Sequence, residues 1–489
     1  MEVFVIILYL IPALILFSYS CAQLSLVWNY WQKKRQESRE EKKPTANRNN
    51  PLTEYPIVSV QLPVYNELYV VERLIDAVCR FDYPKDRFEI QVLDDSTDET
   101  IRIIAQKVHF YQQQGFDIQH IQRPQRQGFK AGALAHGATS AKGELIAIFD
   151  ADFLPQPDFL TNTLFYFRDP KVGAVQTRWS HLNESYSLIT QLQAFGLDGH
   201  FVVEQGGRSA GGHFINFNGT AGIWRKSCIE DAGGWSADTL TEDLDLSYRA
   251  QLRGWEFVYL ENIETPAELP ATMPALKSQQ YRWMKGAAEC ARKNLGKVLH
   301  SATISISTKI FATFHLLNSS VFPAVLAMAL LSIPLWVVTA RFPHYNYLLA
   351  ISGVFQLSFL VLLGFYWTTH HQRKTVGQFA WQLPFFLVVI MGLSLHNAIA
   401  VIEGYLGRKT PFVRTPKWGI VQEHDAWKSK NYLLKSLNWL TIMELLLAVY
   451  FAGGVFLGIY WHTYPLLALH LMLSAGFGFV GFYSVKHSI

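Results

Sequence analysis

Leu145-Ile-Ala-Ile-Phe-Asp150-Ala-Asp152 has the length and composition of a buried strand, and it stops on two carboxylates one residue apart. Side chains alternate faces along a strand, so Asp150 and Asp152 can project the same way from its end. Two oxygen donors placed there suit a hard divalent cation that holds a diphosphate. Alone, such a pair more often marks a solvated loop end. Its weight comes from what flanks it.

From about residue 55 to 299, strand-like and helix-like segments alternate. Residues 57–62 read as a strand, 68–80 as a helix, 89–93 as a strand and 99–113 as a helix. A short strand then precedes the turn Gln127-Gly-Phe-Lys130-Ala-Gly132, and the Leu145 strand follows. This alternation predicts an α/β domain with a mostly parallel sheet, helices on both faces, and ligands at the carboxyl ends of the strands. Asp94-Asp95 and Asp150/Asp152 both fall at such ends. No GxGxxG follows the first strand and no GxxxxGK[ST] occurs, which excludes a dinucleotide enzyme and a P-loop ATPase.

Outside that region the composition changes. Half of the 489 residues are hydrophobic, concentrated toward both ends, and the net charge of +4 gives no reason to expect nucleic acid. The four cysteines, Cys21, Cys79, Cys228 and Cys290, form no CxxC pair, so neither a disulfide framework nor a zinc site is expected. Residues 3–28 are uncharged and read as a retained membrane span, followed by an aromatic belt (Trp28, Tyr30, Trp31) and a basic cluster from Lys33. The positive-inside rule then puts the N-terminus outside and the region after it in the cytoplasm. The expected division is a transmembrane helix (1–31), a basic linker (32–54), a catalytic domain (55–299) and a membrane bundle (300–489).

Six ordered motifs carry a resemblance: Pro63-Val-Tyr-Asn-Glu67, Val92-Leu-Asp94-Asp95-Ser-Thr-Asp98, Lys130-Ala-Gly132, Asp150-Ala-Asp152, Thr241-Glu242-Asp243 and Gln279-Gln-Tyr-Arg282-Trp283. Together the chain resembles family-2 glycosyltransferases of the GT-A fold, a Rossmann-like architecture, and most closely the cellulose-synthase-like mannan and glucan synthases of the membrane-bound processive branch. The resemblance implies an inverting transfer of a hexose from UDP-glucose or GDP-mannose to a growing β-linked polysaccharide, coupled to translocation. Tyr65, Glu67, Asp94, Asp95, Lys130, Asp150, Gln279, Arg282 and Trp283 would bind the nucleotide sugar, with Asp95 favoured over Asp94 for the base. Asp150 and Asp152 would hold Mg2+ or Mn2+. Asp243, with Glu242 beside it, would be the catalytic pair, Asp243 taking the proton from the acceptor hydroxyl. Phe217-Asn-Gly219-Thr220 resembles the acceptor-site loop, where small residues admit a sugar close to the backbone, and Trp283 offers it a flat face. The bland alternatives are helix caps for Asp94, Asp95 and Asp243, a solvated Lys130, and interfacial Arg282 and Trp283. His200 and His213 fit no ligand pattern.

In the membrane half an amphipathic stretch runs to about residue 317, and residues 321–340, 347–367, 437–460 and 464–483 are each long enough to span. With the first helix, that makes five spans. Residues 376–402 are apolar enough to span, yet basic residues flank both ends, so an interfacial or re-entrant segment over about 376–404 is expected. After it, Phe412-Val-Arg-Thr415-Pro-Lys417 resembles the FxVTxK gating loop of cellulose synthases, with Arg414 in place of the usual Val. Glu444 and His470, inside spans, face either a channel or neighbouring helices. The expected setting is a plasma or inner membrane, with membrane lipids as surroundings, and accessory subunits are left open. The rival reading is a non-processive enzyme that glycosylates a membrane lipid such as ceramide or diacylglycerol. A transporter with a nucleotide-sensing domain would leave the Asp243 and QxxRW spacing unexplained.

Overall fold

A computed structural model describes residues 2–40, 55–342, 357–410, 412–422, 424–433, 438–462, 464 and 466–488. Its centre is a seven-stranded sheet in the order β3-β2-β1-β4-β6-β5-β7. The strands are β1 (Val58–Val64), β2 (Phe88–Asp94), β3 (Ile118–Gln122), β4 (Leu145–Ile148), β5 (Val172–His181), β6 (Gly222–Arg225) and β7 (Glu256–Ala267). β1 to β4 pair in parallel and β5 pairs in parallel with β7, while β6 runs against both its neighbours. The expected parallel sheet is therefore interrupted by one reversed strand.

The period of two in β1 explains how both faces are covered. Val58, Val60, Leu62 and Val64 pack in one core with Leu74 and Val78 of the helix Val71–Val78 and with Ile104 and Val108 of the helix Thr100–Gln113. The opposite face carries polar residues at Ser59 and Gln61, which are fully buried. Register answers the cost: Ser59 stands opposite Glu89 and Gln61 opposite Gln91 on β2. Ser59 Oγ donates to Glu89 Oε1 (2.5 Å), and Gln61 Nε2 donates to Gln91 Oε1 (3.0 Å). Left unpaired, such groups cost about 1–3 kcal/mol each. The helix Phe129–Ser140 closes over them at Gly137, where a methyl group would stand 2.7 Å from Gln61 Nε2.

β1 is the strand from which the order departs in both directions, β2 to one side and β4 to the other. Ligands of open α/β sheets bind at the carboxyl ends on either side of such a reversal. Phe149 N and Asp95 N continue the pairing by donating to Gln61 O (3.1 Å) and Val64 O (2.9 Å), which carries the acidic pairs to that edge.

Four described helices are long and apolar enough to cross a membrane, within Val3–Arg39, Asn318–Arg341, Trp439–Tyr460 and Leu467–Lys486. The chain is an integral membrane protein. Val376–Gly392 and Ser394–Tyr405 form a pair bent by 50° at a one-residue break, counted as a fifth crossing if it is a single span. Of the span expected over 347–367, only the helix Leu357–His370 lies within the described residues, as do only parts of the expected linker over 32–54. The first helix, Glu2–Glu40, continues past the boundary drawn at residue 31. Tyr30 and Trp31 of the expected aromatic belt hydrogen-bond within the protein, to Glu261 Oε1 (2.9 Å) and Thr368 Oγ1 (3.0 Å).

The polar residues inside the spans bond from helix to helix. Lys277 Nζ, on the helix Met273–His300, lies 2.7 and 2.9 Å from the two Glu444 oxygens, and Ser332 Oγ lies 2.8 Å from His470 Nε2. Of the two alternatives for Glu444 and His470, these contacts are the helix-to-helix one. His200 bonds Glu204 Oε2 (2.9 Å) and Asn218 Nδ2 (2.9 Å), and His213 stacks on Phe311 at 4.0 Å.

Candidate active site

A cavity of about 210 Å3 lies at the carboxyl ends of β1, β2 and β4. Its wall includes Tyr65, Glu67, Asp95, Lys130, Asp150, Asp152, Asn218, Gly219, Glu242, Asp243, Gln279, Arg282, Trp283, Phe412, Thr415 and Lys417. Residues separated by more than 300 positions thus meet at one place. Asp94, Phe217 and Thr220 stand behind the wall. Asp94 Oδ2 is bound to His120 Nε2 (2.7 Å), and Ser96 N donates to Oδ1 (2.8 Å). Burial pushes the Asp94 carboxyl up, but the bonds from His120 and Ser96 outweigh it and hold the group below the usual carboxylate range.

Phe217 corrects the expectation for the acceptor loop. Its side chain is fully buried against Trp224 (5.4 Å between rings), because Ser247 Oγ accepts from its backbone N at 2.9 Å and fixes it toward the core. The residues after it reach the cavity. Gly219 has φ +82, a conformation that favours glycine, and a methyl group there would stand 2.9 Å from Asp243 Oδ2. Thr220, also buried, accepts from Asp150 N through Oγ1 (2.8 Å), which holds the acidic turn against this loop.

Lys130 is in the first turn of the helix Phe129–Ser140 and not in a free turn, since Gly128 with φ +73 already starts the helix. Its ammonium lies 2.5 Å from Asp150 Oδ1 and 2.9 Å from Gly219 O. Asp152 is met from the other side by Lys417 Nζ at 2.7 Å. Each carboxylate of the pair therefore faces a lysine. Burial pushes the Asp150 carboxyl up, with Lys130 pulling the other way.

Asp243 and Glu242 begin the helix Glu242–Leu252, where Leu244 N donates to Asp243 Oδ1 at 2.8 Å. A cap is thus present, but the carboxylate also opens on the cavity. Burial, and next the charge of Glu242, push the Asp243 carboxyl well above its ordinary value, against the pull of Lys130. A base kept partly protonated near neutrality is matched to proton transfer from a hydroxyl.

The Met273–His300 helix supplies Gln279, Arg282 and Trp283 along one side. Arg282 Nη1 donates to Thr415 Oγ1 (3.2 Å), and its guanidinium carbon lies 5.4 Å from the Phe412 ring centroid. Beside Trp283 stands Trp179, 6.4 Å between rings, which in turn meets Phe153 at 5.1 Å. Trp179, His181, Glu268 and Arg126 are wall residues that the motifs do not contain. A period-of-two reading of the end of β5 would have paired Trp179 with His181. For Arg126 and Glu268 the sequence carries no comparable signal.

Glu268 anchors the segment that closes the cavity. Trp418 N donates to its Oε1 (2.8 Å), Gly419 N to its Oε2 (3.0 Å), and Arg73 Nη2 to the same oxygen (2.8 Å). Beyond this anchor, Arg414 Nη2 donates to Glu67 Oε2 (2.9 Å), and Phe412 stacks on Phe129 at 5.3 Å.

Residues 56–286 match the model of the glycosyltransferase-like family 2. The chain is 34% identical over 462 residues to a glucomannan 4-β-mannosyltransferase of Arabidopsis thaliana, covering 88% of this chain and 78% of that protein. It is 44% identical over 279 residues to a probable glucomannan 4-β-mannosyltransferase of Oryza sativa subsp. japonica, 56% of this chain and 48% of that one. Among solved structures, a mannosyltransferase from Pyrobaculum calidifontis in complex with GDP-Man and Mn2+ aligns with a TM-score of 0.50 at 19% identity, over 81% of this chain and 100% of that chain. That likeness gives the domain around the sheet the GT-A fold. On the strength of the match over 88% of this chain, the chain belongs to glycosyltransferase family 2, and within it resembles the glucomannan 4-β-mannosyltransferases.

Proposed function

We propose that the cavity transfers mannose from GDP-mannose, with inversion at the anomeric carbon, to the terminal hydroxyl of a β-1,4-linked glycan that then passes along the membrane helices. The observation that carries this reading is the meeting of Asp243 with Asp150 and Asp152 in one cavity. In it, Asp243 removes the acceptor proton as the hydroxyl attacks, and the leaving diphosphate departs toward Lys130 and Arg282. Trp283 and Trp179 give the acceptor sugar flat apolar faces beside that carboxylate.

The carboxylates Asp150 and Asp152 fit a divalent cation by their donor chemistry, since each is an oxygen ligand already facing one positive charge. Mg2+ or Mn2+ held there would neutralise charge on the leaving diphosphate. Among the described residues no group of three or more candidate ligands gathers, so the diphosphate and water would complete the shell.

The test is the product. Purified protein in liposomes, given labelled GDP-mannose and UDP-glucose separately, should make a high-molecular-weight polymer from GDP-mannose that β-mannanase digests. A label confined to an organic-soluble lipid bearing one sugar would replace the polymer reading with lipid glycosylation.

A further inference from the structure

Arg126 is a charged wall residue that none of the motifs accounts for. Its guanidinium carbon lies 3.3 Å from the centroid of the Tyr65 ring, 5.0 Å from that of Phe129 and 5.5 Å from that of Phe412. A flat cation thus fills a slot walled by three aromatic rings. At the edge of the slot is Asp95, 3.8 Å from Arg126 Nε. Arg123 holds that carboxylate through two bonds, Nε to Oδ1 (2.9 Å) and Nη2 to Oδ2 (2.5 Å), which fixes its position. Arg126 Nε is buried and has no hydrogen-bond partner among the described residues. An unspent donor in a slot shaped for a planar ring is costly unless a ligand uses it.

The chemistry of the slot matches a purine base. Stacking on Tyr65 suits any base, but the two edges differ in what they ask for. A carboxylate accepts hydrogen bonds from N–H groups, and a guanidinium fork needs two adjacent acceptors. Guanine presents both, with N1–H and the 2-amino group on one edge and O6 with N7 on the next. Uracil offers a single O4 beside N3–H, and adenine has an amino group where O6 would be.

We propose that Arg126 selects the donor nucleotide. When the base takes the face of Tyr65, the guanidinium turns to its edge and donates to O6 and N7, so the site prefers a GDP-sugar to a UDP-sugar. The guanidinium stacks on the Tyr65 face that the base would take. The inference rests on the reading of this cavity as the donor site and adds to it the residue that sets nucleotide choice.

The experiment is equilibrium binding of GDP, UDP and 7-deaza-GDP, which lacks the N7 acceptor, to the full chain in lipid nanodiscs. GDP should bind tighter than UDP by about tenfold or more, the range of one bidentate base contact, and 7-deaza-GDP should lose part of that advantage. Arg126→Ala should erase both differences while leaving UDP affinity within a few-fold. Arg126→Lys, which keeps the charge without the fork, should also lose the preference for GDP over 7-deaza-GDP. A uniform loss for all three nucleotides in Arg126→Ala would overturn the role in selection. Equal affinity of the unaltered protein for GDP and UDP, with transfer intact, would sink this inference alone. Binding of no nucleoside diphosphate at all would remove the donor-site reading and this one with it.

Discussion

The cavity has two kinds of wall. One is built from the ends of β1, β2 and β4, where Asp95 N and Phe149 N extend the backbone ladder and Thr220 ties down Asp150 N. The other is the strap of residues 412–417, whose side chains reach that first wall, Arg414 at Glu67 and Asn66 O and Lys417 at Asp152, while Arg282 of the Met273–His300 helix holds it at Thr415. The strap's fixed point is behind it, where Glu268 accepts from Trp418 N and Gly419 N. Backbone pairing makes a wall that holds its shape with or without ligand. Side-chain ion pairs make one that can exchange its partners for a substrate's charges.

This contrast orders the expected effects. The largest is expected away from the strap, at the start of the helix Glu242–Leu252: Asp243→Asn should lower kcat by about 10²- to 10⁴-fold, the worth of a positioned base, with nucleotide binding kept. Because burial and Glu242 raise the Asp243 carboxyl, the base is gained as pH rises. Hexosyl transfer should therefore climb from the ordinary carboxylate range toward neutrality, and a rate flat across that interval would remove Asp243 from the role. Next, Asp152→Asn or EDTA should cost orders of magnitude in transfer, read by label incorporation. Full activity of the variant in chelator would break the assignment of the acidic pair.

The strap should give smaller and different effects. Lys417→Met leaves Asp152 without its counter-charge and removes one tie. Protease cleavage near residues 412–417 should then become faster in the ligand-free protein. Arg414→Val should do least to kcat, since its ion-pair partner is Glu67 and not Asp243 or the Asp150/Asp152 pair. If Arg414→Val instead matched Asp243→Asn in kcat, the strap would belong with the fixed wall and the comparison would fail.

How much of this could be read from the chain follows the same division. Asp150 and Asp152 were legible because a strand's period of two and an abrupt apolar stop are local signals. The parallel order β1 to β4 was legible for a similar reason, but the reversed β6 was not, since Gly222–Arg225 is too short to announce its direction. Lys130 is expected in a turn because Gly128 and Gly132 flank it, yet two positive φ values, at Gly128 and Phe129, turn the chain directly into a helix there. Phe217 was expected at the acceptor by its loop, and only the Ser247 bond and the Trp224 contact, made across the fold, turn it inward. Arg126 and Glu268 depend on tertiary neighbours that no local period encodes.

Glu444 has a consequence for how the protein is made. An ionisable residue inside a span is costly to insert without a partner, and Glu444 lies in the second turn of the helix Trp439–Tyr460. Its partner Lys277 lies 167 residues earlier in the chain, on the Met273–His300 helix that carries Gln279, Arg282 and Trp283. The ribosome therefore completes the lysine well before the helix Trp439–Tyr460 emerges, and the acid enters the bilayer with its counter-ion already synthesised. The contact that neutralises Glu444 therefore depends on the Met273–His300 helix being in place when this span packs against it.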